Sequence, residues 1–159
     1  MDVALRCPTP RTLELRSAQL SDAFFAKLKQ KPDRGRLEAI DVTGSGVTSI
    51  VGLSALESLQ ECFLGNNQLY DFTSTMTELG KCKRMDRLDL RGNLFNQWPA
   101  APQQDAEKTL HSLKKVLYRS LVIHRLRRSL SELDGEPVTP TDKTTAAAMY
   151  GSLTKLCYK

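Results

Sequence analysis

The stretch LQECFLGNNQLYDF at residues 59–72 sets Leu59, Cys62, Leu64, Asn67 and Leu69 in the pattern L-x-x-C-x-L-x-x-N-x-L, and the pattern returns along the chain. Upstream, LEAIDVTGSGV puts Leu37, Ile40, Val42, Ser45 and Val47 in the same slots. Downstream, MDRLDLRGNLF puts Met85, Leu88, Leu90, Asn93 and Phe95 there. Near the start, LELRSAQL fits more loosely through Leu13, Leu15, Ala18 and Leu20. The third slot therefore runs Leu15, Val42, Leu64, Leu90, at intervals of 27, 22 and 26 residues. Self-similarity at such a period constrains the fold more than any single element does.

Alternation around the second and third slots predicts a short strand with one face buried, and the next apolar residues turn the chain back. The Asn slot suits a side chain that hydrogen-bonds backbone left unpaired in a tight turn. Asn67 and Asn93 meet that need, Ser45 meets it in part, and Ala18 cannot. The first copy thus reads as a terminal cap. This signature at a period of about 20–29 residues is that of a leucine-rich repeat. The expected fold class is α/β: a leucine-rich repeat solenoid with short parallel strands on the concave face, helices or turns on the convex face, and a helical C-terminal cap. One domain is expected over residues 1–159, with repeats over about 10–104, the cap over about 105–140 and a tail at 141–159. A hydrophobic content of 40% supplies a core, and no segment is apolar enough to span a membrane.

The return segments read as helical. SDAFFAKLKQ offers Ser21 or Asp22 as an N-cap and stops before Pro32; FTSTMTELGKC offers Ser74 or Thr75 near its start and Gly80 at its end. Residues 105–130 predict a long helix, capped by Asp105, whose apolar stripe is Leu110, Leu113, Leu117 and Leu121, then Leu126 and Leu130. LSELDGEPV follows as a final strand ending in an Asp134-Gly135 turn. In the tail, Thr141 or Asp142 begins a helix through the alanines, with Gly151 ending or interrupting it.

The repeats together with YRSLVIHRLRRSLSELDGEPVT resemble the intracellular leucine-rich repeat family whose cap is shared by protein phosphatase-1 regulatory subunits, a dynein light chain and spliceosomal A-prime proteins. Tyr118, Arg119, Val122, Leu126, Leu130, Leu133 and Asp134 match the cap, and the resemblance covers about residues 11–140. The chain lacks the family's L-P-x-L step after Leu126, and it has NLFNQWP where the family has Asn-Pro after the last full repeat. The resemblance implies a non-catalytic adaptor whose partner docks on the concave sheet. Family partners include axonemal motors, phosphatases, an RNA-binding domain and export factors. The LDGEPV ending leans towards a cytoplasmic, cytoskeletal or ciliary adaptor. The alternatives are a nuclear RNA-processing scaffold of the A-prime type and a phosphatase regulator.

The residue between the second and third slots points away from the core. That column reads Glu14, Asp41, Phe63, Asp89 and, at the cap, Asp134; two positions further on it reads Arg16, Thr43, Gly65 and Arg91. The expected binding face is an acidic stripe holding one aromatic anchor and edged by Arg16 and Arg91, complementary to a basic helix or tail of a protein partner. A solvated polar face is the competing reading. The net charge of +5 is concentrated elsewhere: Lys108, Lys114, Lys115, Arg119, Arg125, Arg127 and Arg128 lie in a stretch without an acid. Of these, Lys114, Lys115, Arg125, Arg127 and Arg128 form a candidate secondary surface. Direct nucleic-acid binding is not favoured, because Tyr118 is the one aromatic residue there and no base-stacking module accompanies it.

No catalytic residue, cofactor or metal site is expected. His111 and His124 have no nucleophile or ligand neighbours in sequence, and GSG at 44–46 lies in a repeat turn. Cys7, Cys62, Cys82 and Cys157 stand in no metal-ligand spacing, and MDVALRCPTP lacks the pattern of a secretory leader. Free thiols in a reducing compartment are therefore expected.

Overall fold

The computed structural model describes residues 11–96, 105–126 and 129–156, with side chains at 11–96, 112–126 and 129–151. The repeat pattern builds one six-stranded sheet: β1 (Thr12–Glu14), β2 (Ala39–Asp41), β3 (Glu61–Phe63), β4 (Arg87–Asp89), β5 (Glu132–Leu133) and β6 (Glu136–Pro137), hydrogen-bonded in chain order. The first five run parallel, and β6 closes on β5 as an antiparallel hairpin. Register places the second repeat slot, Leu13, Ile40, Cys62, Leu88 and Leu133, in a single buried row. Leu37, Leu59, Met85 and Leu130 from the first slot, and Val42, Leu64 and Leu90 from the third, complete the core.

What holds successive coils together is a ladder of buried polar side chains. The Asn67 amide donates to the carbonyls of Val42 (3.0 Å) and Leu64 (2.9 Å), and its oxygen accepts from the amides of Ser45 and Val47 (3.0 Å each). Asn93 repeats the arrangement one coil on, donating to Leu64 and Leu90 carbonyls and accepting from Leu69 N–H. Ser45, with a shorter side chain, donates to the Leu15 carbonyl and accepts from Ala18 N–H. Each rung bonds its own turn and the turn before it. Backbone groups of the interior are thereby paired where no strand or helix could pair them. The first coil, with Ala18 in the slot, carries positive φ angles at Ser17 and Gln19 instead.

The return segments are shorter than their sequences suggest, and their caps lie elsewhere. Helix α1 spans Phe24–Leu28 and starts at Ala23 without a side-chain cap. Asp22 is drawn instead to the Thr48 hydroxyl of the next coil at 2.6 Å. Helix α2 spans Phe72–Leu79; its cap is Asp71, which accepts from Ser74 N–H, not Ser74 or Thr75, and it ends at Gly80 as expected. Buried Glu78 on α2 accepts from the amides of Gly52 and Ser54, clamping α2 to the preceding return. Gly52 sits at φ 102°, where a Cβ would meet the Phe25 carbonyl at 3.0 Å, so no other residue fits there.

Helix α3 spans Asp105–Leu126, four residues short of the expected end. Val122, Ile123 and Leu126 enter the core, whereas Leu113 and Leu117 are 50% and 38% exposed. Leu110 and the Asp105 side chain lie outside the described residues. Helix α4 spans Pro140–Leu156 and packs on α3 through buried Ala146 and a Tyr150 hydroxyl bond to the Leu117 carbonyl (3.0 Å). Its cap is Thr139, reciprocally bonded with Asp142, and the helix continues through Gly151.

Replacing Asn67 by Ala leaves the buried Val47 amide without a partner and removes one hydrogen bond each from the Ser45 amide and the Val42 and Leu64 carbonyls, which keep a second partner, at about 1 kcal/mol for each bond lost. Urea unfolding of the Asn67→Ala chain is expected to show a loss of about 3 kcal/mol, and Ser45→Ala a loss of about 1 kcal/mol.

Candidate concave binding surface

Strand alternation turns two residues of each three-residue strand outward, one on each side of the buried slot. The register aligns Glu14, Asp41, Phe63 and Asp89 as one outward column. The other column, Thr12, Ala39, Glu61, Arg87 and Glu132, was not singled out from the sequence, although the same alternation marks it. It holds the most organised chemistry of the face. The Arg87 guanidinium lies between its two register neighbours, 3.6 Å from Glu61 and 3.3 Å from Glu132, and its carbon stands 5.6 Å from the centroid of the Phe63 ring. Hydrogen bonding and charge attraction from Glu132, with Glu61 adding to them, hold Arg87 above its already high ordinary pKa. A cation stacked on an aromatic and fixed by two carboxylates is a rigid, amphipathic knob.

The expected acidic stripe is largely neutralised by its own edge. Arg16 reaches Asp41 at 2.6 Å, and Arg91 reaches Asp89 at 2.6 Å. Asp41 is itself buried, against expectation, because Thr43 N–H and Arg16 draw its carboxylate inward. Burial pushes the Asp41 carboxyl up, but the Thr43 hydroxyl and amide and the Arg16 guanidinium outweigh that and hold it below its ordinary value of 3.8. Asp134, read as the cap end of the column, also turns in. Its oxygen accepts from Leu90 N–H at 2.8 Å and bonds the Tyr118 hydroxyl. Burial lifts its carboxyl above the ordinary value despite those bonds. Glu14 is exposed, Phe63 is half-buried, and Gly65 is buried with the Asp89 carboxylate over it, 3.5 Å from where a Cβ would stand.

On the cap, Lys114, Lys115 and Arg125 are exposed on α3, whereas Arg119 is structural, donating to the Leu133 and Pro137 carbonyls and pairing with Asp142. Lys108, Arg127 and Arg128 lie outside the described side chains, as do His111, Cys7 and Cys157. His124 is half-buried with its ring 5.9 Å from Tyr150. Among the described residues no cluster of His, Cys, Asp or Glu could hold a metal ion, and no helix is long and apolar enough to cross a membrane. Cys62 and Cys82 are free and buried; burial raises both thiols, Cys82 to about 11, as packing residues require.

With this geometry, the fold matches known leucine-rich repeat structures. The Mex67 leucine-rich repeat domain from Chaetomium thermophilum superposes with a TM-score of 0.54 at 17% identity, covering 85% of this chain and 88% of that one. A chain of the Chaetomium Mex67:Mtr2 subunits gives 0.52 at 16% identity, over 87% and 91%. A chain of the Drosophila melanogaster SNF/U2A′ complex gives 0.52 at 15% identity, over 91% and 86%. This is a leucine-rich repeat fold. No family model and no curated protein matches the sequence.

Because Asp41 titrates lower in the folded chain than in the unfolded one, its contribution to stability is full above pH 3.8 and is lost as pH falls through the folded value. Arg16→Ala is expected to move the Asp41 titration upward in a carbon-detected NMR series. The accompanying loss, on the order of 0.5–1 kcal/mol at neutral pH, should shrink towards zero in acid.

Proposed function

We propose that this chain is a non-catalytic protein-interaction scaffold that holds a partner on its sheet face, in a nuclear assembly of the spliceosomal A-prime type. The observation that carries the reading is the Glu61–Arg87–Glu132 clamp with Phe63 stacked beneath it, an aromatic and a guanidinium preordered at the centre of an exposed sheet. Aromatic and arginine side chains dominate interface energetics, and fixing them in advance lowers the entropy cost of association. Around the knob, Glu14, Asp41, Asp89, Glu61 and Glu132 outnumber Arg16, Arg87 and Arg91. The fitting partner segment is therefore a helix or tail with an apolar anchor for Phe63 and basic residues at its flanks. The likeness in fold to the SNF/U2A′ complex over 91% of the chain supports the A-prime setting.

A cytoskeletal or ciliary setting rests on the LDGEPV stretch. In the structure that stretch is the β5–β6 hairpin, with Asp134 and Gly135 both at positive φ. Turn geometry alone accounts for Asp-Gly at that place.

Affinity purification with mass spectrometry, comparing wild type with a Phe63→Ala/Arg87→Glu chain of equal stability, tests the proposal. Partners of the sheet face are expected to fall at least about tenfold, as loss of a hot spot requires. A small nuclear RNA recovered with wild type should fall in parallel. An unchanged partner list contradicts the proposal.

A further inference from the structure

The cap presents a second surface, lined from helices and the last coil and not from the strands. Phe72 from α2, Phe95 from the last coil, Leu117, Tyr118 and Leu121 from α3, and Tyr150 from α4 line a groove of about 290 Å³. Its floor is aromatic: the Phe72 ring lies 5.2 Å from Phe95 and 6.1 Å from Tyr118, centroid to centroid. One wall continues outward along α3 as the exposed apolar residues Leu113, Val116 and Leu117. Leu113, Leu117 and Leu121 follow at four-residue spacing, so the stripe is about 12 Å long, two turns of a helix. Contiguous exposed apolar surface of this kind marks a contact site.

The charge beside the stripe names the occupant. Exposed Lys114 lines the groove, and the sequence from Lys108 to Arg128 contains no acidic residue. The groove is walled by side chains and offers no open strand edge, so a bound segment must satisfy its own backbone hydrogen bonds. Rings from α2, the last coil, α3 and α4 converge on the groove, so one inserted side chain meets them together. We infer that this groove is a docking site for an acidic amphipathic helix of a partner protein, with apolar anchors at i, i+3, i+4 and i+7 against the rings and carboxylates facing Lys114. It stands apart from the sheet-face reading and does not depend on it.

The probe is a fluorescent helical peptide of about 18 residues with leucines at those spacings and glutamates elsewhere. Two companion peptides have lysine for glutamate or the same composition scrambled. Fluorescence anisotropy with the full chain should show saturable binding of the glutamate peptide alone. Leu117→Glu should weaken it at least about tenfold. Lys114→Glu should weaken the glutamate peptide and favour the lysine peptide, and Phe63→Ala should leave binding unchanged. If circular dichroism shows that Leu117→Glu disturbs the fold, Leu113→Glu, at a half-exposed position, makes the same test. Absence of saturable binding, equal binding of all three peptides, or indifference to both leucine substitutions overturns the inference. So does binding to phosphatidylserine–phosphatidylcholine vesicles in place of the peptide, which would make the stripe a lipid contact.

Discussion

The fold depends on a row of buried amides. Asn67 and Asn93 stand where each coil turns away from its strand, at 4% and 0% exposure, and each bonds the backbone of two coils at once. Neither a longer nor an apolar side chain would do this. An apolar one would strand the Val47 or Leu69 amide and break the amide's bonds to carbonyls of both coils, a cost of a few kcal/mol, on the order of a substantial share of a domain's net stability. The ladder passes into the cap through Asn96, whose oxygen accepts from Asn93 N–H at 2.8 Å and whose amide reaches the Leu90 carbonyl and the Tyr118 hydroxyl. Tyr118 then bonds Asp134, which takes the Leu90 amide at the final strand. A chain of polar contacts thus runs from the first coil to the closing hairpin, and it fixes the strand register on which the exposed columns rest.

That register turns a repetitive sequence into an uneven surface. Because each coil contributes two outward side chains at fixed spacing, Glu61, Arg87 and Glu132 from three different coils meet as one clamp. The same spacing lets Arg16 and Arg91 reach Asp41 and Asp89 two residues away in register or in sequence, so most of the face's charge is spent internally. The centre of the sheet is left with a fixed cation–aromatic pair. A partner gains from what is already ordered more than from net charge.

Much of this was legible in the sequence, for a physical reason. Slots such as Ile40, Cys62 and Leu88 are dictated by a strand with one buried face, and Asn67 and Asn93 by backbone that only an amide can satisfy; both demands act locally and leave a local mark. The strand column from Glu14 to Asp89 was readable on the same basis. Less legible were choices made between coils. Asp22 forgoes capping α1 to reach Thr48, Asp41 sinks under Arg16, and Asp134 turns inward to Leu90 and Tyr118. Helical periodicity along α3 marked an apolar stripe through Leu113 and Leu117 without showing what lies opposite it, and both are exposed. Arg87 was readable but overlooked: it flanks the buried slot on the side that the repeat consensus leaves unspecified.

The central claim, that recognition takes place on the sheet face around Phe63, is tested most directly by placing a photo-cross-linking amino acid at position 63 and, separately, at the exposed convex position of Thr77. The account predicts a discrete partner adduct from position 63 and none from position 77 after irradiation in cells. An adduct from position 77 with none from position 63 would contradict it and move recognition off the sheet.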